Sequence, residues 1–254
     1  MDATVVMIVL WVLFATSHVG IAASRMRTAL IGRFGKLPYL YAYIGLAQVL
    51  FAILPIYYAT HRFAGPRGPA LGELAWVHPI LIASIVCGLL LIVGSFSPKQ
   101  YVSSMPFAAL VRQPYGLERI TRHPFFVGTA LWAGAHALLS TRLIGTVFFS
   151  GFVCLGLLGT IHQERKLIRE KGPEYERYLR STSLLPLAAV LAGRQSMEWR
   201  EQPWMFLMLG GVCTWLLRTR HEHLLGWNGA GFALFFFVAT SYLTLEVLRR
   251  EQQA

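Results

Sequence analysis

The sequence predicts an all-α protein, a polytopic bundle of about seven transmembrane helices. Two observations predict this fold class. Of the 254 residues, 55% are hydrophobic and only 14% are charged, whereas roughly a quarter of a typical soluble domain is charged. The apolar residues are also gathered into long runs that basic loops separate. We therefore expect residues 1–254 to form a single transmembrane domain.

Seven runs approach the roughly 20 mostly apolar residues that a membrane-crossing helix needs. In chain order they are Thr4–Ala23, Leu37–Ala59, Pro79–Phe96, Pro124–Leu139, Leu143–Ile161, Trp204–Leu217 and Leu225–Val247.

The individual runs differ in how they are bounded. No basic segment precedes the first run and no small-residue cleavage site follows it, so it is predicted to be a retained span and not a signal peptide. Only Ser140, Thr141 and Arg142 separate the fourth run from the fifth, which predicts a tight antiparallel hairpin. The sixth run has just 14 residues. If it is tilted or re-entrant and does not cross, six spans remain.

The distribution of Lys and Arg predicts the orientation. Eighteen of the 23 basic residues follow the first, third and fifth runs or lie at the C-terminus, and five lie in the other loops. Basic loops stay in the cytoplasm, so we expect the N-terminus outside and the C-terminus inside, in a bacterial cytoplasmic membrane. The same distribution explains the net charge of +11 without a nucleic-acid partner.

The largest cytoplasmic segment is predicted at residues 162–203. An exposed helix with alternating charges should begin at His162 and stop at Gly172-Pro173. The apolar segment Ser183–Gly193 is too short to span and is expected at the membrane surface. The three cysteines lie within apolar runs and have no CxxC partner, so they are interpreted as small core residues.

Histidines in or beside apolar runs are the strongest functional signal. Ionisable groups inside a membrane cost a few kcal/mol each on insertion scales, and they mark functional sites by default. Four of the eight histidines qualify: His18, His61, His123 and His136. Imidazole is a common axial ligand of haem iron, so these histidines are candidate metal ligands.

Helix geometry limits how these histidines can pair. His123 and His136 are 13 residues apart, which is about 20 Å along a helix, so they cannot bind one metal. Trp132 and His136 share a helix face that suits the wall of a haem pocket. A second ligand must come from another run. His18 is the natural candidate, although its expected depth differs from that of His136 by about 10 Å. His61 is the alternative.

Several short motifs, in order along most of the chain, make it resemble the NnrU family, and within that family the zeta-carotene isomerases of plants and cyanobacteria. The motifs are Ser17–Arg25, Thr60–Phe63, Arg119–Pro124, Trp132–His136 and Thr182–Gln195.

This resemblance implies a membrane protein that binds haem b and isomerises a cis double bond of a lipophilic polyene. It implies that His18 and His136 are the catalytic haem ligands. Another branch of the family is linked to nitrite and nitric oxide reduction, and a non-catalytic role in support of such a reductase is the alternative. The isomerase pattern has a cysteine three residues before the second histidine, where this chain has Ala133. A ligand exchange between cysteine and histidine is therefore not expected at this position.

Three arginines are predicted at the cytoplasmic interface, where they could pair with haem propionates. They are Arg25, Arg119 and Arg122.

A second, more distant resemblance is to the isoprenylcysteine and phospholipid methyltransferases. The residues Arg122-His123-Pro124 and the later run from Glu164 to Pro186 carry it. In those enzymes the two segments bind S-adenosylmethionine, which makes His123 an alternative cofactor-binding residue. Where the methyltransferases have paired glutamates, this chain has Gln163-Glu164.

Overall fold

The structure is a computed structural model that is helical throughout its regular elements. It describes residues 2–22, 24–97, 100 and 112–226, together with six positions between 231 and 241. In this part of the chain no strand is present, and one isolated bridge joins Arg67 to Arg142.

The α-helices of the described residues are α1 (Ala3–Ala22), α2 (Ser24–Phe34), α3 (Lys36–His61), α4 (Val77–Gly94), α5 (Pro124–Leu139), α6 (Leu143–Lys171), α7 (Pro173–Ser181), α8 (Ala188–Leu191) and α9 (Trp204–Gly226).

The helical, membrane-embedded fold class is confirmed. Each of the first six predicted runs coincides with a helix, and the bounds of α5 are those predicted. Within the described residues, α3, α4 and α6 are long and apolar enough to cross a membrane. Most of the seventh run, Leu225–Val247, lies outside the described residues, so the count of seven stays a prediction.

Three local expectations were wrong. The helix that begins at Leu143 continues without a break to Lys171, so His162 lies inside α6 and does not start a new helix. Nothing in residues 143–171 breaks a helix, so the charged stretch continues it. The basic loop after the first run contains α2, which was not predicted. His61, which was expected just outside the second run Leu37–Ala59, is the last residue of α3.

The cysteine interpretation was also wrong for two residues. Cys87 and Cys154 are exposed on the surface of the chain, and Cys213 is partly exposed. In a membrane protein the outer face of a helix contacts lipid, which is as apolar as a protein core. An apolar sequence context therefore does not distinguish the two locations.

Contacts between residues divide the chain into two compact units. Unit 1 comprises residues 1–70, 140–148 and 220–254, and unit 2 comprises residues 71–139 and 149–219.

Unit 1 is built on the packing of α1 against α3. Met7, Trp11 and Phe14 are buried on one stripe of α1. The ring centroid of Phe14 lies 5.5 Å from that of Phe51 on α3. Tyr58, near the C-terminal end of α3, stacks on Phe148 with centroids 4.4 Å apart. Aromatic rings therefore lie in the contacts of α3 with α1 and with the first turns of α6.

Unit 2 is built on a close crossing of α4 and α5. A methyl group on Gly88 would lie 2.7 Å from the carbonyl oxygen of Gly128, and one on Gly128 would lie 2.7 Å from that of Gly88. Both positions therefore require glycine, as at many helix contacts in membranes. This crossing fixes α5, which carries His136.

The part of unit 2 formed by the end of α6 and by α7 has a small core of its own. Leu167 on α6 packs with Tyr175 and Tyr178 on α7, and all three are buried. Gly172, at φ +52°, reverses the chain between the two helices, and Pro173 starts α7. The predicted stop at Gly172-Pro173 is confirmed.

Candidate functional site

His18 continues the buried stripe of α1. It lies four residues after Phe14, which in turn follows Trp11 and Met7 at helical spacing. Its ring stacks on Phe14, with centroids 5.3 Å apart and planes 12° apart. It also stacks on Tyr43 of α3, at 5.5 Å and 20°. Two aromatic rings thus stack on the imidazole.

The hydroxyl of Tyr43 holds two polar atoms of His18. It lies 3.1 Å from Nδ1 of the ring and donates to the backbone carbonyl oxygen of the same residue at 3.1 Å. One turn earlier on α3, Tyr39 donates its hydroxyl to the carbonyl of Ile21 at 3.2 Å. Two tyrosines of α3 therefore bind the end of α1 through their hydroxyl groups.

His136 is held by its own helix. Its Nδ1 lies 2.8 Å from the carbonyl oxygen of Trp132, one turn earlier on α5. Its ring stacks on Phe149 at 4.7 Å and contacts the Trp132 ring at 5.0 Å. Trp132 also contacts Phe152 edge to face. Trp132 is thus the neighbour of His136 that the sequence predicted, and Ala133 beside it is fully buried.

The hydrogen bond of His136 determines which ring nitrogen is basic. A carbonyl oxygen only accepts, so Nδ1 must carry the hydrogen for this contact to be a hydrogen bond. In the neutral ring the lone pair then resides on Nε2, which is the nitrogen that can bind iron.

His61 lies far from His18 within unit 1. It stacks on Tyr57 at 4.1 Å, and its Nδ1 lies 3.0 Å from the carbonyl of that residue. Tyr43, which contacts His18, precedes His61 by 18 residues on α3, which is about 27 Å along the helix. These two histidines therefore do not meet at one metal, and His61 stays the alternative to His18 as the predicted partner of His136.

A second cluster lies at the beginning of α5, at its opposite end from His136. The Nε of Arg122 donates to Oε1 of Glu164 at 2.6 Å. The side chain of His123 is fully buried, and its Nε2 donates to the same oxygen at 3.1 Å. Burial lowers the pKa of His123, against the opposing effect of the Glu164 carboxylate. We therefore expect a neutral imidazole there.

Backbone pairing closes this cluster. The amide of Arg122 donates to the carbonyl of Ser183 at 2.9 Å, and that of Leu187 donates to Ile120 at 2.8 Å. The hydroxyl of Thr121, which is fully buried, donates to the carbonyl of Leu184 at 2.7 Å. The short segment after α7 therefore covers the turn that precedes α5.

Arg119 forms a two-pronged ion pair. Its Nε and Nη2 donate to the two carboxylate oxygens of Glu201, at 2.7 and 3.0 Å, and Nη1 donates to the amide oxygen of Gln195 at 2.9 Å. This hydrogen bonding lowers the pKa of Glu201 and raises the pKa of Arg119. Glu201 also accepts the amide of Gly116 at 3.1 Å.

The predicted propionate-binding arginines are thus differently placed. Arg119 and Arg122 are engaged by carboxylates of the chain, so a haem propionate would have to compete with Glu201 and Glu164. The side chain of Arg25 lies outside the described residues. Propionate binding by these three arginines stays a prediction.

Sequence reasoning did not find Tyr43, Gln195 or Glu201. Tyr39 and Tyr43 are spaced four residues apart on an apolar helix, which is a weak signal because lipid-facing aromatics show the same spacing. Glu201 is 82 residues from its partner Arg119, and no local pattern announces such a pairing. Within the described residues, no three His, Cys, Asp or Glu side chains converge as a metal site.

Comparison with known proteins places the chain in a family. The family model described as "NnrU protein" matches residues 6–229. The chain is 28% identical over 194 residues to the chloroplastic 15-cis-zeta-carotene isomerase of Zea mays, covering 76% of this chain and 52% of that protein. It is 30% identical over 193 residues to the protein of the same name from Arabidopsis thaliana, covering 75% and 52% respectively.

The chain therefore spans about half the length of the curated relatives that it matches. No solved structure matches it significantly. The matched region contains α1 from Val6 onward, α2 to α8 and all of α9, and with them both His18 and His136. On the extent of that match, the resemblance seen in the sequence is confirmed, and the chain belongs to the NnrU family.

Proposed function

We propose that the protein is a membrane-embedded isomerase that converts a cis double bond of a lipophilic polyene to trans. The observation that carries this proposal is the similarity, across three quarters of the chain, to two proteins named 15-cis-zeta-carotene isomerase. The helices fit such a substrate physically, because a long hydrocarbon dissolves in the bilayer that surrounds α3, α4 and α6.

We propose haem b as the cofactor, with His18 and His136 as its ligands. Both rings suit this role, because each stacks on an aromatic ring and each has its Nδ1 engaged by a group of the chain. An Nδ1 partner fixes the ring and leaves Nε2 as the basic nitrogen. When bound, haem iron would supply a redox-active Lewis acid. The chain would supply the imidazoles, the orientation and an apolar surrounding.

Ala133 distinguishes this chain from the isomerase pattern. The family pattern has a cysteine three residues before the second histidine, and here that position is a fully buried alanine. We therefore propose that imidazole alone provides protein ligands at this position, and that any control through a thiolate is absent there.

The test combines a spectrum with turnover. The full chain, produced with an added haem precursor and purified in detergent, should show a Soret band that shifts on reduction. It should convert 15-cis-zeta-carotene to the 15-trans isomer, followed by chromatography. His136→Ala and His18→Ala should each lower the haem content, whereas His78→Ala, which alters an exposed histidine, should not. A haem-free wild-type protein would contradict the cofactor. A haem-loaded protein without turnover, oxidised or reduced, would contradict the isomerase.

A methyltransferase is the alternative that one structural observation favours. The buried cluster of Arg122, His123 and Glu164 unites the two segments that bind S-adenosylmethionine in the methyltransferases that the sequence distantly resembles. Glu164 is paired with two side chains of its own chain, which weighs against a ligand there. Calorimetric titration with S-adenosylmethionine decides this alternative, since binding that Glu164→Ala abolishes would support it.

A non-catalytic role in support of a nitrite or nitric oxide reductase is the third hypothesis. It predicts that the protein co-purifies with a reductase subunit and has no turnover of its own. Neighbouring carotenoid genes would favour the isomerase, and neighbouring denitrification genes would favour this role.

We propose that the protein lies in a bacterial cytoplasmic membrane with its N-terminus outside and its C-terminus in the cytoplasm. The supporting observation is the eighteen-to-five division of basic residues between alternate loops. A green fluorescent protein fused to the C-terminus should fluoresce, because it folds only in the cytoplasm. An alkaline phosphatase fused there should be inactive, and the reverse outcome would invert the orientation.

A further inference from the structure

We propose that Tyr43 is a positioning residue that holds His18 in the tautomer with its hydrogen on Nδ1, so that Nε2 carries the lone pair for a metal. This inference rests on the proposed function in one respect only, namely that the metal is the iron of haem. The tautomer itself follows from contacts within unit 1.

The number of hydrogens available in this contact decides the tautomer of His18. The Tyr43 hydroxyl has one hydrogen and lies 3.1 Å from two atoms of His18, the backbone carbonyl oxygen and ring Nδ1. The carbonyl oxygen has no hydrogen to give. Both contacts are hydrogen bonds only if the hydroxyl donates to the carbonyl and Nδ1–H donates to the hydroxyl oxygen. That arrangement specifies the tautomer.

The surroundings make an alternative arrangement costly. His18 is only partly exposed, and both its stacking neighbours within this unit, Phe14 and Tyr43, are aromatic. In an apolar medium an unsatisfied polar group costs several kcal/mol. If the hydroxyl turned its hydrogen to Nδ1, the contact between two acceptor oxygens would replace a hydrogen bond. The same Tyr43 ring stacks on Tyr39 at 6.0 Å and 11°, which holds the hydroxyl in place.

In unit 2 the ring of His136 has the same tautomer, but the hydrogen-bond partner of its Nδ1 is different. There a backbone carbonyl accepts from Nδ1, so no substitution can remove the partner without changing the helix. At His18 the partner is a side chain. Tyr43 is therefore the position at which control of the tautomer can be tested.

Tyr43→Phe is the test, and Tyr39→Phe is the matched control. Each substitution removes one hydroxyl from α3 and keeps the stacked ring. Tyr39 binds the carbonyl of Ile21 and not the imidazole, so a general loosening of the α1–α3 contact should appear in both variants. Removal of the group that orients a metal-binding histidine typically lowers the metal affinity by 10- to 100-fold.

The first measurement is the rate at which the purified holoprotein loses haem to apomyoglobin. We expect Tyr43→Phe to lose haem about tenfold faster than wild type, with a changed ferric electron paramagnetic resonance spectrum, and Tyr39→Phe to match wild type. Equal haem loss from the two variants would overturn the inference while leaving the haem proposal intact.

The second measurement needs no haem. Nitrogen-15 magnetic resonance of labelled protein in nanodiscs distinguishes protonated from bare ring nitrogens, and a His18→Gln variant assigns the signal. We expect a protonated Nδ1 and a bare Nε2 in haem-free wild type, and a mixture of tautomers in Tyr43→Phe. A bare Nδ1 in wild type would overturn the inference. A protein that never binds haem would contradict the proposed cofactor. This measurement would then still decide the tautomer of His18.

Discussion

At the scale of single residues, the histidines that the sequence indicated as functional make polar contacts in apolar surroundings. His18, His123 and His136 could be identified from their context, because an imidazole among apolar residues must find a partner. Their partners could not be identified in this way. Tyr43 is 25 residues from His18 and Glu164 is 41 residues from His123. Only the tertiary packing of helices brings such pairs together.

The buried His123 should make stability depend on pH. Burial lowers its pKa below the ordinary value of 6.5. As the pH falls through that value, the imidazole is therefore protonated in the unfolded chain while it stays neutral in the folded chain. The contribution of His123 to the free energy of unfolding is therefore complete above pH 6.5 and is lost progressively below it. In detergent we expect the thermal midpoint to be lower at pH 5.5 than at pH 7.5.

Two variants check the origin of this pH effect. His123→Gln should flatten the decrease between pH 7.5 and 5.5, because no imidazole remains to titrate at that position. His78→Gln alters an exposed histidine and should keep the decrease. A full pH effect in His123→Gln would assign it to another group.

The ion pair of Arg119 with Glu201 should stabilise the protein measurably. It is two-pronged and its side chains are 17% and 23% exposed, and pairs at this depth contribute up to about 1 kcal/mol. We expect Glu201→Gln to lower the thermal midpoint at neutral pH. Glu170→Gln is the control, since Glu170 lies 4.0 Å from Lys166 and both side chains are largely exposed. Equal effects of the two substitutions would show that the two-pronged geometry of the Arg119–Glu201 pair adds no stability.

At the scale of elements, the sequence predicted helices wherever apolar runs have clear stops. The bounds of α5 were predicted because Pro124 suits the first position of a helix and Ser140–Arg142 interrupts the apolar run. The continuation of α6 to Lys171 was missed, because a change from apolar to charged residues resembles a boundary even where no residue breaks the helix. The sequence of the basic loop did not reveal α2, because short charged helices form mainly through tertiary contacts.

The crossing of α4 and α5 should tolerate no side chain at Gly88. The added methyl group of Gly88→Ala would lie 2.7 Å from the backbone of Gly128 and of Trp132, and overpacking of this kind costs about 1–3 kcal/mol. We expect a lower thermal midpoint and less folded protein. Gly45→Ala on α3 meets nothing within 4 Å and should leave stability unchanged or slightly raised. Similar losses in both variants would refute the role of the crossing.

At the scale of the whole molecule, exposed apolar side chains identify the surface that lipid must cover. Within the described residues these include Val12 and Leu13 on α1 and Val49 on α3, each more than half exposed. Exposed apolar surface of this kind is tolerated in a bilayer and not in water. Composition alone could predict this property, because it is a sum over the chain and not a matter of individual pairings.

The native cysteines should report the lipid contact. Cys87 and Cys154 are exposed on α4 and α6, so in membranes they should face hydrocarbon and resist a charged maleimide that labels them fully in sodium dodecyl sulfate. A cysteine at the exposed position of Arg177 on α7 should react readily in permeabilised vesicles. Rapid labelling of the native protein without detergent would place α4 and α6 in water.

The cover over the turn before α5 has a consequence for biosynthesis. Ser183, Leu184 and Leu187, which bond to residues 120–122, emerge from the ribosome only after α5 and α6 have been made. Until then the carbonyl of Ile120, the hydroxyl of Thr121 and the amide of Arg122 lack these partners. A chain that stops before residue 183 therefore cannot close the turn that precedes α5.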